Sequence, residues 1–175
     1  MKRFLAILLI SAALAAVFTG CGGSRYDPLE GVETTTFTDS CGRAVTIPAE
    51  ITRIAASGAT AQMILMTIAP DMLVGLASSP SRAQRPYFPE DMWYLPTFGQ
   101  FYGSKASLNM EALIAAQPQI IIDLGDKKLG HAADMNTIQR QTGIPTVFIE
   151  ADIDDLSEAY QTLGRLLGRS GLSAF

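Results

Sequence analysis

The apolar and polar positions divide the chain into three regimes. Phe4 to Phe18 is an almost uninterrupted apolar run behind Lys2 and Arg3. Residues 22 to 36, GGSRYDPLEGVETTT, hold no sustained hydrophobic period and mix glycine, proline, acids and threonines, a composition that predicts a tether leading into a short edge element. Beyond them, short apolar runs alternate with amphipathic stretches. In FTDSCGRAVTIP the turn residues Asp39, Ser40 and Gly42 separate two short strands, and Val45 and Ile47 keep a period of two until Pro48 interrupts it.

After Pro48 the period changes. Arg53-Ile54-Ala55-Ala56 reads as a strand and Ser57-Gly58 as a turn. Thr60 is placed to cap a helix whose apolar face is Ala61, Ile64, Leu65 and Ile68. Pro70 stops that helix, and Leu73 to Leu76 reads as the next strand. A second alternation covers 107 to 149. Ser107 or Asn109 opens a helix with Met110, Leu113 and Ile114, and Ile120-Ile121-Ile122 follows as a strand. A helix over 131 to 142 carries Met135 and Ile138 and ends at Gly143, before a last strand from Ile144 to Ile149. Four β-rich runs alternating with helices predict an α/β fold, a three-layer parallel-sheet lobe with helices on both faces. Asp155 to Leu167 predicts a further amphipathic helix, with Leu156, Ala159, Tyr160, Leu163 and Leu167 on one side. The organisation expected is a signal segment over 1–20, a tether over 21–35, a lobe over 36–153, a helix over 154–169 and an end segment over 170–175.

Length and charge narrow the picture. A chain of 175 residues has room for one ordinary domain or two small ones and falls short of the roughly 200 to 300 residues that two full lobes around a cleft require. The apolar run Phe4–Phe18 is fifteen residues, against the roughly 20 of a membrane-crossing helix; behind Lys2 and Arg3 it reads as an export signal. Phe18-Thr19-Gly20-Cys21 resembles the lipobox of bacterial lipoproteins, which makes Cys21 the expected lipidation site although Phe18 replaces the usual leucine. Cleavage before Cys21 leaves 11 of the 13 Lys and Arg against all 17 Asp and Glu, a formal charge of −6. That balance gives no support for a nucleic-acid partner. With Cys21 acylated, Cys41 has no disulfide partner, so the core must hold the exported fold.

Catalytic and metal signatures are sparse. Gly125-Asp126-Lys127-Lys128 lacks the glycine spacing and the hydroxyl residue of a phosphate loop. One histidine, His131, cannot build a two-histidine zinc motif, and it reads as a polar residue in the first turn of a helix. Ser57 follows a strand without the G-x-S-x-G elbow, so turn chemistry accounts for it. No catalytic residue, metal or cofactor is assigned. Residues 87 to 102 hold half of the chain's aromatics, broken by proline and glycine. Arg82 and Arg85 precede them and Lys105 follows. Such rings pack in a loop or line a cleft, where a tyrosine hydroxyl or an arginine fork orients a ligand. Arg85, Tyr87, Trp93 and Tyr102 are the candidate ligand contacts.

The order of short motifs resembles the N-terminal lobe of the iron-chelate and cobalamin family of substrate-binding proteins from ABC importers. The landmarks are Asp39-x-x-Gly42-Arg43 with Val45-x-Ile47-Pro48, Arg53-Ile54, Leu73-Val74-Gly75, Leu108-Asn109-x-Glu111-x-Leu113, Pro118-x-Ile120-Ile121-Ile122, Gly143-Ile144-Pro145-x-Val147 and Leu163-Gly164-x-x-Leu167-Gly168. Gly58 and Gln62 stand where family members often have Pro and Glu. The resemblance implies noncatalytic capture of an iron chelate, haem or cobalamin-like molecule outside the cytoplasmic membrane and its delivery to a permease and associated ATPase. Glu111 then matches the family's acidic permease-contact position. Family members continue into a second lobe beyond a long helix, so the resemblance also implies a truncated or one-lobe form. The alternatives are an exported lipid-anchored hydrolase and a structural or protein-interaction lipoprotein.

Overall fold

The computed structural model describes residues 26–154 and 156–171. The expected signal segment and Cys21 lie outside the described residues. Among the described residues, five strands and four α-helices follow in the order β1 (Thr34–Thr38), β2 (Ala44–Pro48), β3 (Ile54–Ala56), α1 (Ala59–Ile68), α2 (Met110–Ala115), β4 (Ile120–Gly125), α3 (His131–Thr142), β5 (Thr146–Glu150) and α4 (Leu156–Leu166). Strands β3, β4 and β5 form a parallel sheet in that order, and β1 pairs antiparallel with β2. No helix among the described residues is long and apolar enough to cross a membrane.

The alternation of side chains along the parallel strands builds two cores. Ile54, Ala56, Ile120, Ile122, Leu124, Val147 and Ile149 face one side, where Ala61, Ile64 and Leu65 of α1 and Ala159 and Leu163 of α4 cover them. Ala55, Ile121 and Phe148 face the other, against Leu113 of α2, Met135 and Ile138 of α3, and the loop residues Phe98 and Phe101. Burial on both faces explains why these strands read as continuous apolar runs. The α/β three-layer lobe expected from the sequence is the architecture observed.

Two local expectations are corrected. Leu73–Leu76 does not become a full strand. Leu73 makes an isolated parallel bridge to Ile54, and Leu76 makes another to Thr97, so the run is divided between two partners and Gly75 lies under the Phe98 ring. Thr60 does not cap α1. That helix starts at Ala59 with Gly58 at the cap and no side-chain cap bond. Of the two starts considered for α2, Asn109 is the cap, its side chain accepting from the Ala112 amide at 3.0 Å. Gly143 ends α3 at φ 76°, a left-handed conformation that glycine adopts without a Cβ penalty.

Several landmark residues hold elements together. The Asp39 carboxylate accepts from the Cys41 and Arg43 amides at 3.0 and 2.9 Å, from Arg43 Nη1 at 2.8 Å and from the Phe148 amide at 3.3 Å. The same guanidinium donates to the Thr146 carbonyl, Asn136 and Gln139. One ion pair thus ties the β1–β2 turn to β5 and α3. Arg53 donates to the Ala116 and Gln117 carbonyls, satisfying the end of α2 where helical acceptors run out of partners. Gln62 bonds both the amide and the carbonyl of Ser78, pinning the loop that leaves the Leu73–Leu76 run.

Candidate functional site: a cleft at the carboxyl edge of the sheet

Strands β3 and β4 run in the same direction, so their carboxyl ends open on one edge of the sheet. A cleft of about 600 Å³ lies there, lined by Gly58–Ala61 at the start of α1, Asp123–Asp126 at the end of β4, and Gln100 and Tyr102–Lys105 from the intervening loop, with Lys128 and His131 beside them. The carboxyl edge is where open α/β sheets commonly bind ligands.

Strand register fixes the polar floor of this cleft. Ala56 pairs with Ile122, which sets Ser57 beside Asp123, and Asp123 pairs with Phe148. Asp123 shares its parity with Ile121 and so points to the face covered by α3, whose first residue is His131. Asp123 and His131 are each 4% exposed, and Ser57 is fully buried. Ser57 Oγ donates to Asp123 Oδ1. The Tyr102 hydroxyl donates to Asp123 Oδ2 at 2.6 Å, and His131 Nε2 lies 2.6 Å from the same oxygen. The backbone amide of Lys128 donates to His131 Nδ1 at 3.3 Å, so the neutral ring carries its proton on Nε2 and donates it to Asp123. The imidazole stacks on Phe148 with ring centroids 3.9 Å apart. Burial first, then the hydrogen bond and charge of Asp123, push the Tyr102 phenol far above the usual tyrosine range.

This arrangement does not assemble a nucleophile and its base. Ser57 and His131 both turn their protons toward Asp123, which sits between them, whereas a hydrolytic serine hands its proton to the imidazole. The site offers hydrogen-bonding groups on a fixed floor, with Lys105 and Lys128 among the residues that line it.

Solved structures similar to this chain are solute-binding proteins, some of them named as parts of ABC transporters. The ABC transporter solute binding protein from Sulfurospirillum deleyianum aligns at TM-score 0.64 and 25% identity, over 79% of this chain and 43% of that one. The molybdate-bound periplasmic binding protein MolA from Haemophilus influenzae aligns at TM-score 0.60 and 17% identity, over 79% and 48%. The siderophore binding protein BauB, bound to two acinetobactin molecules and ferric iron, aligns at TM-score 0.54 and 16% identity, over 81% and 48%. The fold is that of one lobe of the iron-chelate and cobalamin type of ABC solute-binding protein. The lobe spans less than half the length of the proteins it matches. No protein-family model and no curated protein matches the sequence.

Within the lobe, the residues singled out from the sequence fall in different places. Tyr102 lines the cleft. Arg85 and Tyr87 lie in a 3-10 turn on the exposed loop before it, and Trp93 lies in the next such turn, Glu90–Tyr94. The Arg85 guanidinium stands over the Trp93 ring at 5.5 Å, a cation–π contact made outside the cleft lining. Glu111 is exposed in the first turn of α2. Cys41 is half-buried, and burial pushes its thiol up. Sequence reasoning missed Asp123 and assigned Ser57 and His131 only structural roles. The available signal was an acid inside the apolar run Ile120–Leu124, where an unpaired charge would be costly.

Proposed function

We propose that this chain supplies a solute-capturing lobe of an ABC importer, acting outside the cytoplasmic membrane on an iron chelate, haem or cobalamin-like ligand. The observation that carries the reading is the cleft with its Ser57–Asp123–His131–Tyr102 floor at the carboxyl edge of a lobe whose fold matches solute-binding proteins. A binding site needs a rigid polar floor, and a carboxylate that receives three donors supplies one. Tyr102 is the ligand contact this reading favours, and Arg85, Tyr87 and Trp93 are candidates for contacts at the rim. In the same reading Cys21 carries a lipid anchor, and a permease with its ATPase receives the ligand. The exposed carboxylate of Glu111 is the proposed permease contact.

The test is native-mass analysis of the purified chain, followed by titration with ferric chelates, haemin and cobalamin. Saturable binding that is weakened by substitutions lining the cleft is expected. Failure of every probe to bind, together with ester hydrolysis that disappears in Ser57→Ala, would replace this reading with the hydrolase. For the anchor, Cys21→Ser is expected to move the protein from the membrane to the aqueous fraction, and an unmodified native N-terminus at Cys21 would remove that assignment.

A further inference from the structure

We propose that the segment Asp126–Leu129 is a strap on the cleft wall under the control of a proton: the lone pair of His131 latches it, and protonation of that ring releases it. The inference rests on the solute-capture reading and adds a control to its site.

The strap joins β4 to α3. Gly125 at φ 147° and Gly130 at φ 86° bound it, both in the region where a Cβ is penalised, so each end can turn in ways other residues resist. Asp126 and Lys128 line the cleft, and all four residues between the glycines are exposed. With so little packing, hydrogen bonds must fix the strap. Among the described residues, Lys127 Nζ donates to the Ser40 carbonyl at 2.7 Å, the His131 amide donates to the Lys128 carbonyl at 3.2 Å, and the Lys128 amide donates to His131 Nδ1 at 3.3 Å.

The last of these bonds depends on the charge of a buried ring. His131 is 4% exposed and is the chain's only histidine. Its Nε2–H is committed to Asp123 Oδ2 at 2.6 Å, with the Tyr102 hydroxyl 3.1 Å away, so an added proton goes to Nδ1. There it sets one N–H against another. The Lys128 amide loses its acceptor and must turn away, while Asp123 supplies the counter-charge for an imidazolium that stays in place. Asp134 of α3 and Cys41 of the β1–β2 turn act on Tyr102, and Lys127 and the Asp39–Arg43 pair act on Cys41. Lys105 lines the same cleft, and β5 presents the Phe148 ring to the imidazole. Among the described residues, the Lys128 amide is the group bonded to Nδ1. Its release frees Asp126 and Lys128, and with them one wall of the cleft.

The experiment follows ring and strap together by NMR in the isotope-labelled full chain, from pH about 8 to about 5, the range in which an imidazole takes its proton. The Lys128 amide is expected to shift with the same midpoint as the His131 ring. Its protection against hydrogen exchange, relative to the intrinsic rate at each pH, should fall about tenfold, the loss of roughly one hydrogen bond. Sheet amides of Ile122 and Val147 should keep their protection. Two variants separate the latch from the fold. His131→Asn puts an amide oxygen near the position of Nδ1 without a titrating group, and should keep Lys128 protected at every pH. His131→Gln reaches the position of Nε2, leaves no acceptor for Lys128, and should leave that amide unprotected at every pH. A Lys128 amide that ignores the His131 transition overturns the inference, and so does a ring that keeps one charge state across the range. Whichever of a ferric trihydroxamate, haemin and cobalamin binds at pH about 7.5 should bind about tenfold more weakly at pH about 5.5, a typical coupling between sites, and His131→Asn should abolish the difference. Equal pH dependence in the two proteins overturns the control of the site. If none of the three binds while Lys128 follows His131, the solute-capture reading falls and the strap stands.

Discussion

At the scale of the residue, Asp39 is a buried charge with every contact made to a structural partner. Its side chain is fully buried and that of Arg43 nearly so. Removing one member of such a pair strands the other, at about 3 to 5 kcal/mol. Asp39→Ala should therefore lower stability by that order in urea denaturation, and a change below about 1 kcal/mol would show that the clamp contributes little. Gly75 sits in an equally constrained place, because a Cβ there would stand 2.1 Å from the Phe98 ring, itself fully buried. Gly75→Ala should cost about 1 to 3 kcal/mol through overpacking. A melting temperature equal to wild type would mean that the ring moves aside freely. The exposed Asp71–Arg169 pair contrasts with both, since solvent screening leaves surface bridges about 0 to 1 kcal/mol.

At the scale of the element, the β1–β2 hairpin serves the sheet through its turn. The Ser40 amide donates to the Phe148 carbonyl at 2.9 Å, and the Glu150 amide donates to Ser40 Oγ at 2.9 Å. These bonds occupy the free edge of β5, which would otherwise offer its backbone to another strand. In Ser40→Ala the Glu150 amide loses its acceptor, so its hydrogen exchange should accelerate while amides of β3 and β4 keep their protection. Unchanged exchange at Glu150 would show that the hairpin does not guard that edge. Helix α2 belongs to the same scale. It has six residues and is held by Asn109 at its start and Arg53 at its end, because so short a helix is not stable by itself.

At the scale of the whole molecule, one edge of the sheet holds the cleft with Tyr102, Arg85, Tyr87 and Trp93 lie on the loop before it, and the proposed permease contact stands on an exposed helix turn. If Glu111 meets a basic permease surface, Glu111→Gln should slow docking more at low salt than at high salt and leave ligand affinity unchanged. Equal docking of the two proteins across a salt series would take Glu111 out of the interface. In that proposal the division of labour is physical: a buried floor would set pocket affinity, and an exposed charge would act mainly on encounter.

The alternation of apolar runs with amphipathic stretches was sufficient by itself to determine the lobe. Ile120–Ile122, Ile144–Ile149 and the Met135–Ile138 face encode their element type locally, through side-chain period and burial on two faces. Asn109 and Gly143 mark helix ends for equally local reasons. Tertiary structure alone decided that Leu73–Leu76 would be shared between Ile54 and Thr97, because both partners compete for one short run. It alone decided the cleft floor as well. Ser57, Tyr102, Asp123 and His131 are separated by up to 74 positions in the chain, and each has an ordinary local reading as turn, loop, strand or helix start. Strand register and the seating of α3 bring their hydrogen-bonding atoms together, and register is a property of paired strands that no single segment carries.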